Sequence, residues 1–157
     1  METLARNSTF RHRTIGTDTH HPVQFIDLTP QVEALVTELG IHTGLVNIQS
    51  LHTTTAIVVN EHEPLLLADM AALLERVVPH DVSYRHDDAT VRTVNCVPGE
   101  RPNGHSHCRA LLLTPAVCLN VVNGRLQLGR WQRVFLAELD GPRRRDVSVV
   151  LMGDAWR

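Results

Sequence analysis

The sequence predicts an α+β domain, a mostly antiparallel β-sheet or sandwich carrying two or three helices. Three observations lead there. About seven β-rich runs are spread along the chain, and those in its last third are joined by short turns, which favours antiparallel pairing over a doubly wound sheet. Two helical patterns each open on a proline. Length and composition, 157 residues with 43% hydrophobic content, fit a single domain over residues 1–157, and neither a repeat nor a linker divides it.

The elements follow in order. Ser8 to Ile15 alternates loosely and reads as a first strand, and Val23 to Leu28 as a second. Thr29 is placed to cap a helix with Pro30 at its first position. Val32, Leu35, Val36 and Leu39 follow at helical spacing, and Gly40 ends the run. Gly44 to Leu51 and Thr55 to Asn60 are β-rich runs flanking His52-Thr53-Thr54. Pro64 opens a second helix along Leu66, Leu67, Met70, Leu73, Leu74 and Val77, and Pro79 stops it. His80 to Gly104 lacks periodicity, which in a compact domain marks a functional stretch or hidden short elements. A short helix is expected from about His105 to Leu113. Val117 to Val122, Arg125 to Leu128, Trp131 to Leu139 and Asp146 to Met152 complete the strands. Asn123-Gly124 is a type I′ hairpin signal.

Composition excludes chemistry. All 15 basic side chains are Arg, none is Lys, and there are 10 His. A Schiff-base lysine is therefore excluded, as is a P-loop ending in Gly-Lys-Ser/Thr. Any phosphate must be held by Arg, His, backbone N–H groups or a metal. The net charge of -2 argues against a general nucleic-acid binder, and Arg143, Arg144 and Arg145 read as a solvated turn. No stretch approaches the roughly 20 apolar residues that span a bilayer. Met1 to Arg13 has no apolar core like that of a secretory signal, so a cytoplasmic protein is expected. Cys96, Cys108 and Cys118 form no C-x-x-C pair and read as half-buried free thiols.

Four clusters could carry chemistry. His52-Thr53-Thr54-Thr55 lies between two strands, where hydroxyls and backbone N–H groups can bind anionic oxygens; taken alone the pattern reads first as a polar β-edge. Asn103-Gly104-His105-Ser106-His107-Cys108 offers two imidazoles at i and i+2. These diverge on a helix but could approach one ion from an irregular start. Gly129-Arg130-Trp131-Gln132 precedes Glu138, Asp140 and Arg143. The two carboxylates suit metal ligation or acid–base work, or a salt bridge to the Arg cluster. Tyr84-Arg85-His86-Asp87-Asp88 has the composition of a substrate lid or of plain surface.

Together these segments resemble the YjbQ-type family. The resemblance rests on Gly44 to Leu51, His52-Thr53-Thr54-Thr55-Ala56, Asn60-Glu61, Tyr84-Arg85-His86 and His107 with Cys108-Arg109-Ala110. It continues through Val121 to Leu126, Gly129, Trp131 and Gln132, and Glu138 to Arg143, in the family's order. Ala116 and Arg130 stand where the family's signature usually has Ser and Thr. The resemblance implies a YjbQ-like α+β fold, a homotrimer, and a His-rich polar site near a subunit interface. Family members are described as thiamine phosphate synthase-like enzymes, joining a pyrimidine diphosphate to a thiazole phosphate with release of pyrophosphate. On that reading His52, His107, Glu138 and His86 are the catalytic candidates. Thr53, Thr54, Asn60, Trp131, Gln132 and Arg143 would bind substrate or phosphate. A divalent ion, Zn²⁺ or Mg²⁺, would be held by His52, His105 and His107. A metal-dependent hydrolase and a non-enzymatic trimer binding a metal or small anion are the alternatives. The trimer interface is expected at Trp131, Val134 to Leu136 and the Asn123-Gly124 hairpin. The partner is a small phosphorylated molecule, with no nucleic acid and no membrane.

Overall fold

The computed structural model describes residues 8–155; Met1 to Asn7, part of the segment read above for a signal, lies outside them. Eight strands and three α-helices run in the order β1 Ser8–Asp18, β2 Gln24–Asp27, α1 Thr29–Glu38, β3 Ile41–Ser50, β4 Thr55–Glu61, α2 Pro64–Val77, α3 Gly104–Leu112, β5 Ala116–Val122, β6 Arg125–Leu126, β7 Gln132–Glu138 and β8 Arg144–Ala155. One turn of 3₁₀-helix, Arg85–Asp87, interrupts the irregular stretch before α3.

The strands form two sheets, one ordered β1-β8-β3-β5-β6 and the other β2-β7-β4, antiparallel throughout. Between them lies the main core. Val46, Ile48, Val147, Val149 and Leu151 from the larger sheet meet Ile57, Val134 and Leu136 from the smaller, and Val32 and Val36 of α1 join them. The other face of the small sheet is covered as well. Ala56, Ala137 and Leu139 pack with Leu74 of α2, with Ala110 of α3 and with Leu113 just after it. Strand β7 is therefore buried on both faces, and its continuous apolar run follows from that.

Local chemistry sets the boundaries. Thr29, expected to cap α1, is its first residue. Its hydroxyl accepts the Val134 amide (2.9 Å), and Asp27 accepts the Thr29 amide (2.8 Å) in its place. Glu63 caps α2 by accepting the Leu65 and Leu66 amides at 2.9 and 2.8 Å. Asn123 and Gly124 have φ of 52° and 72°, as a type I′ turn requires.

Three expectations are overturned. Val134 to Leu136 are fully buried, so they cannot form a subunit contact. All three cysteines are exposed rather than half-buried. Arg145 is 3% exposed and does not belong to a solvated turn, whereas Arg143 and Arg144 are exposed. No helix among the described residues is long and apolar enough to cross a membrane.

Candidate functional site

The β7–β8 connection builds one end of the molecule around a buried ion pair. Along β8, Arg145 shares the inward face with Val147, Val149 and Leu151 by strand alternation. Its Nε and terminal nitrogen donate to the two oxygens of Glu138, each at 2.6 Å, and the terminal nitrogen also donates to Thr54 Oγ1 at 3.0 Å. Glu138 is fully buried. It further accepts the amides of Leu139 and Asp140 (2.9 and 2.8 Å) and the Thr19 hydroxyl (3.0 Å). Burial pushes this carboxyl up, but the hydrogen bonds from Arg145, the Asp140 amide and Thr19 outweigh it and hold the group below its ordinary range. Five donors occupy a carboxylate with about four acceptor sites. Glu138 is thus no acid, base or metal ligand, contrary to expectation; it positions the corner.

The β3–β4 corner leans on this pair. His52 Nε2 accepts the Asp146 amide at 2.8 Å, and the His52 amide donates to Ser50 Oγ at 3.2 Å. The neutral ring therefore carries its proton on Nδ1. Burial, then the Arg145 charge, depresses its pKa. Thr54 is buried with its hydroxyl committed to Arg145, so it does not face a ligand as expected, while Thr53 is exposed. Leu139 N–H donates to Thr54 O at 3.2 Å, which ties the corner to the end of β7.

A second connection brings in α3. Asp140 Oδ2 accepts from Arg143 at 2.8 Å and from the side-chain Nδ2 of Asn103 at 3.2 Å. Ser106 Oγ donates to Leu139 O at 2.6 Å. Asp87 Oδ1 accepts the Asn103 and Gly104 amides, both at 2.9 Å, fastening the irregular stretch over the start of α3. Because α3 is helical from Gly104, His105 and His107 diverge. His105 packs on His80 with ring centroids 4.5 Å apart, and His107 on His86 at 4.6 Å. Burial depresses both α3 imidazoles, helped by Arg109 and His80 at His105 and by His86 at His107. His86 Nε2 and Asn103 Oδ1 are buried without a hydrogen-bond partner among the described residues. Such atoms in a folded protein call for a ligand or a bridging water.

The expected metal set does not fit one chain. His52 Nε2 is taken by Asp146, and His105 and His107 turn to different partners. Among the described residues no group of three or more His, Cys, Asp or Glu is arranged to hold a metal ion.

Asn60, Trp131 and Gln132 stand elsewhere. Thr55 pairs with Glu138 at one end of the β4–β7 ladder and Glu61 with Gln132 at the other, about 20 Å apart at a strand's rise per residue. One end thus gathers His52, Thr53, Thr54, His86, His105, His107, Glu138 and Arg143, and the far end holds the remaining three. Sequence reasoning missed Thr19 and Arg145 as supports. For Arg145 the alternation with Val147 and Val149 was the available signal; Thr19 carried none.

Fold and site together define an α+β protein of two antiparallel sheets with a His- and Arg-rich corner. Comparison with known proteins gives the family. The sequence pattern described as UPF0047 protein YjbQ-like matches residues 13–154, and the chain belongs to this family. A UPF0047 protein of Methanothermobacter thermautotrophicus is 41% identical over 135 residues, covering 86% of this chain and 87% of its own length. UPF0047 protein YugU of Bacillus subtilis is 33% identical, covering 83% and 90%. Among solved structures, a YbjQ-like protein of unknown function from Sulfolobus solfataricus superposes with a TM-score of 0.84 at 32% identity, covering 94% and 100%.

Proposed function

We propose that the chain is an enzyme acting on a phosphorylated small molecule, of the thiamine phosphate synthase type, joining a pyrimidine diphosphate to a thiazole phosphate with release of pyrophosphate. The supporting observation is the sorting of charge at the corner. Glu138 and Asp140 are buried and paired, while Thr53, Arg101 and Arg143 are open to solvent. A ligand arriving there meets cations and hydroxyl donors, the groups that hold phosphate in a chain without Lys. In this reading Arg143 and Thr53 bind the departing diphosphate. His52 offers its Nδ1–H to developing negative charge. His107 and His86 face the reacting groups, and the unpartnered His86 Nε2 supplies a buried hydrogen-bonding atom.

The test is product formation from the two phosphorylated precursors, with and without Mg²⁺ and Zn²⁺, against His52→Ala and His107→Ala. Turnover lost in both variants supports the proposal; parent turnover no higher than that of the variants refutes it. The homotrimer is likewise proposed, with the Asn123-Gly124 hairpin in its interface and without Trp131 or Val134 to Leu136. A solution mass near three chains supports it and a monomer at micromolar concentration refutes it.

A further inference from the structure

The far end of the β4–β7 ladder holds a cleft that the proposed reaction does not use. Its volume is about 350 Å³, and Val59, Asn60, Glu61 and Gln132 line it around Arg130 and Trp131. Trp131 is 60% exposed, an unusual place to leave the largest aromatic side chain. It is not loosely held. Gln132 N–H donates to Gly129 O at 3.0 Å, and Gly129 N–H donates to Gln132 Oε1 at 2.7 Å, so both ends of the turn are clamped. The Arg130 guanidinium lies 4.5 Å from the Trp131 ring centroid. Arg130 makes no ion pair among the described residues.

We propose that this cleft is a stacking subsite for a planar aromatic ligand that carries an anionic group. An exposed indole on a clamped turn offers a π-face that any planar ring can use. The guanidinium beside it both stacks and supplies an uncompensated positive charge. Glu61, the carboxylate of the lining, directs the anion to the Arg130 side and leaves its own side to ring N–H groups. Lying over the Trp131 ring in the lining of the cleft, Arg130 is the specificity-determining residue of this subsite, giving an anion preference that a neutral side chain would not. The cleft lies about 20 Å from Glu138 along the ladder, so within one chain it is a separate place from the His52 corner.

The chain has two Trp, so a Trp156→Phe background makes the emission report Trp131. Three probes separate ring from charge: adenosine 5′-monophosphate, adenosine and ribose 5-phosphate. Expected are saturable quenching by the monophosphate, about tenfold weaker binding of adenosine, and no response to ribose 5-phosphate. Arg130→Thr lowers monophosphate affinity to the adenosine level. Trp131→Ala abolishes binding by calorimetry while keeping the parent's thermal midpoint, and His52→Ala binds as the parent does. Equal responses to ribose 5-phosphate and the monophosphate would overturn the proposal, as would unchanged affinity in Arg130→Thr. A drop in solution mass for Trp131→Ala would also overturn it, because Trp131 would then be a contact between copies of the chain.

Discussion

Replacing Arg145 by Met tests the central support of the corner. The guanidinium makes two hydrogen bonds of 2.6 Å to Glu138 and one of 3.0 Å to Thr54. Met matches much of its volume and removes all three. Glu138, fully buried, is then left as an unpaired charge. Breaking one side of a buried pair costs about 3–5 kcal/mol, and for a chain of this size the thermal midpoint falls by roughly 6–20 °C. Glu138→Gln with Arg145→Met removes the stranded charge and is expected to be more stable than Arg145→Met alone, the non-additivity of groups in contact. The pH dependence has a definite sign. In the parent, folding lowers the pKa of Glu138. Its stabilisation is therefore complete above the unfolded carboxylate value, about 4.3, and is lost as pH falls from there through the folded value. In Arg145→Met burial dominates and raises that pKa, so the contribution reverses and the variant loses stability as pH rises towards neutral. Thermal melts of parent, single and double variants from pH 4 to pH 8 measure all of this. An Arg145→Met stability within about 1 kcal/mol of the parent's, or strictly additive variants, refutes the reasoning.

Three further outcomes are expected. A Cβ at Gly104 would lie 2.5 Å from Tyr84 Cβ and 3.2 Å from Asp87 Oδ2, so Gly104→Ala costs about 1–3 kcal/mol and speeds proteolysis within 80–103, read by limited digestion; parent-like digestion contradicts it. Leu136→Ala costs about 2–5 kcal/mol without changing the solution mass, because the side chain is fully buried within one chain; calorimetry and sedimentation together check this, and a change in mass would return Leu136 to an interface. Cys96, Cys108 and Cys118 are all exposed, so a thiol reagent titrates three groups in the native protein, whereas a thiol that needs denaturant places it in a buried contact.

Much of the fold was legible because its signals are local. Asn123-Gly124 carries its turn type in its own backbone preferences, and Pro30 and Pro64 mark helix starts through a missing amide. What escaped depended on the third dimension. The Val134 to Leu136 run reads alike whether its second face meets a partner subunit or the chain's own helices; here Phe135, Ala137 and Leu139 turn towards α2, α3 and β2. Three consecutive arginines suggest solvent, yet strand alternation sends the last of them, Arg145, the second residue of β8, inward. The site was legible as residue types and not as an arrangement. His105 and His107 could share an ion only off a helix, and α3 begins at Gly104, one residue too early for that. Asn60, Trp131 and Gln132 belong with His52 in motif order, but the antiparallel ladder carries them to its opposite end.

The absence of Lys is connected to this architecture by geometry. Arg145, Arg109 and Arg92 each do work that needs a planar fork rather than a point charge. Arg145 spans both oxygens of Glu138 and still reaches Thr54. Arg109, 2% exposed, joins Val78 O at 3.0 Å and the Glu75 carboxylate, holding the end of α2 against α3. Arg92 joins His86 O at 3.3 Å and Glu100 at 2.8 Å within the loop that covers α3. An ammonium in such places readily loses its proton on burial, whereas a guanidinium keeps its charge. This matters to the corner as much as to stability. With Arg145 charged, Glu138 is neutralised where it lies, and an incoming anion meets Arg143 and Thr53 instead of an uncompensated carboxylate behind them. The inward ion pair sets the sign of the outward surface.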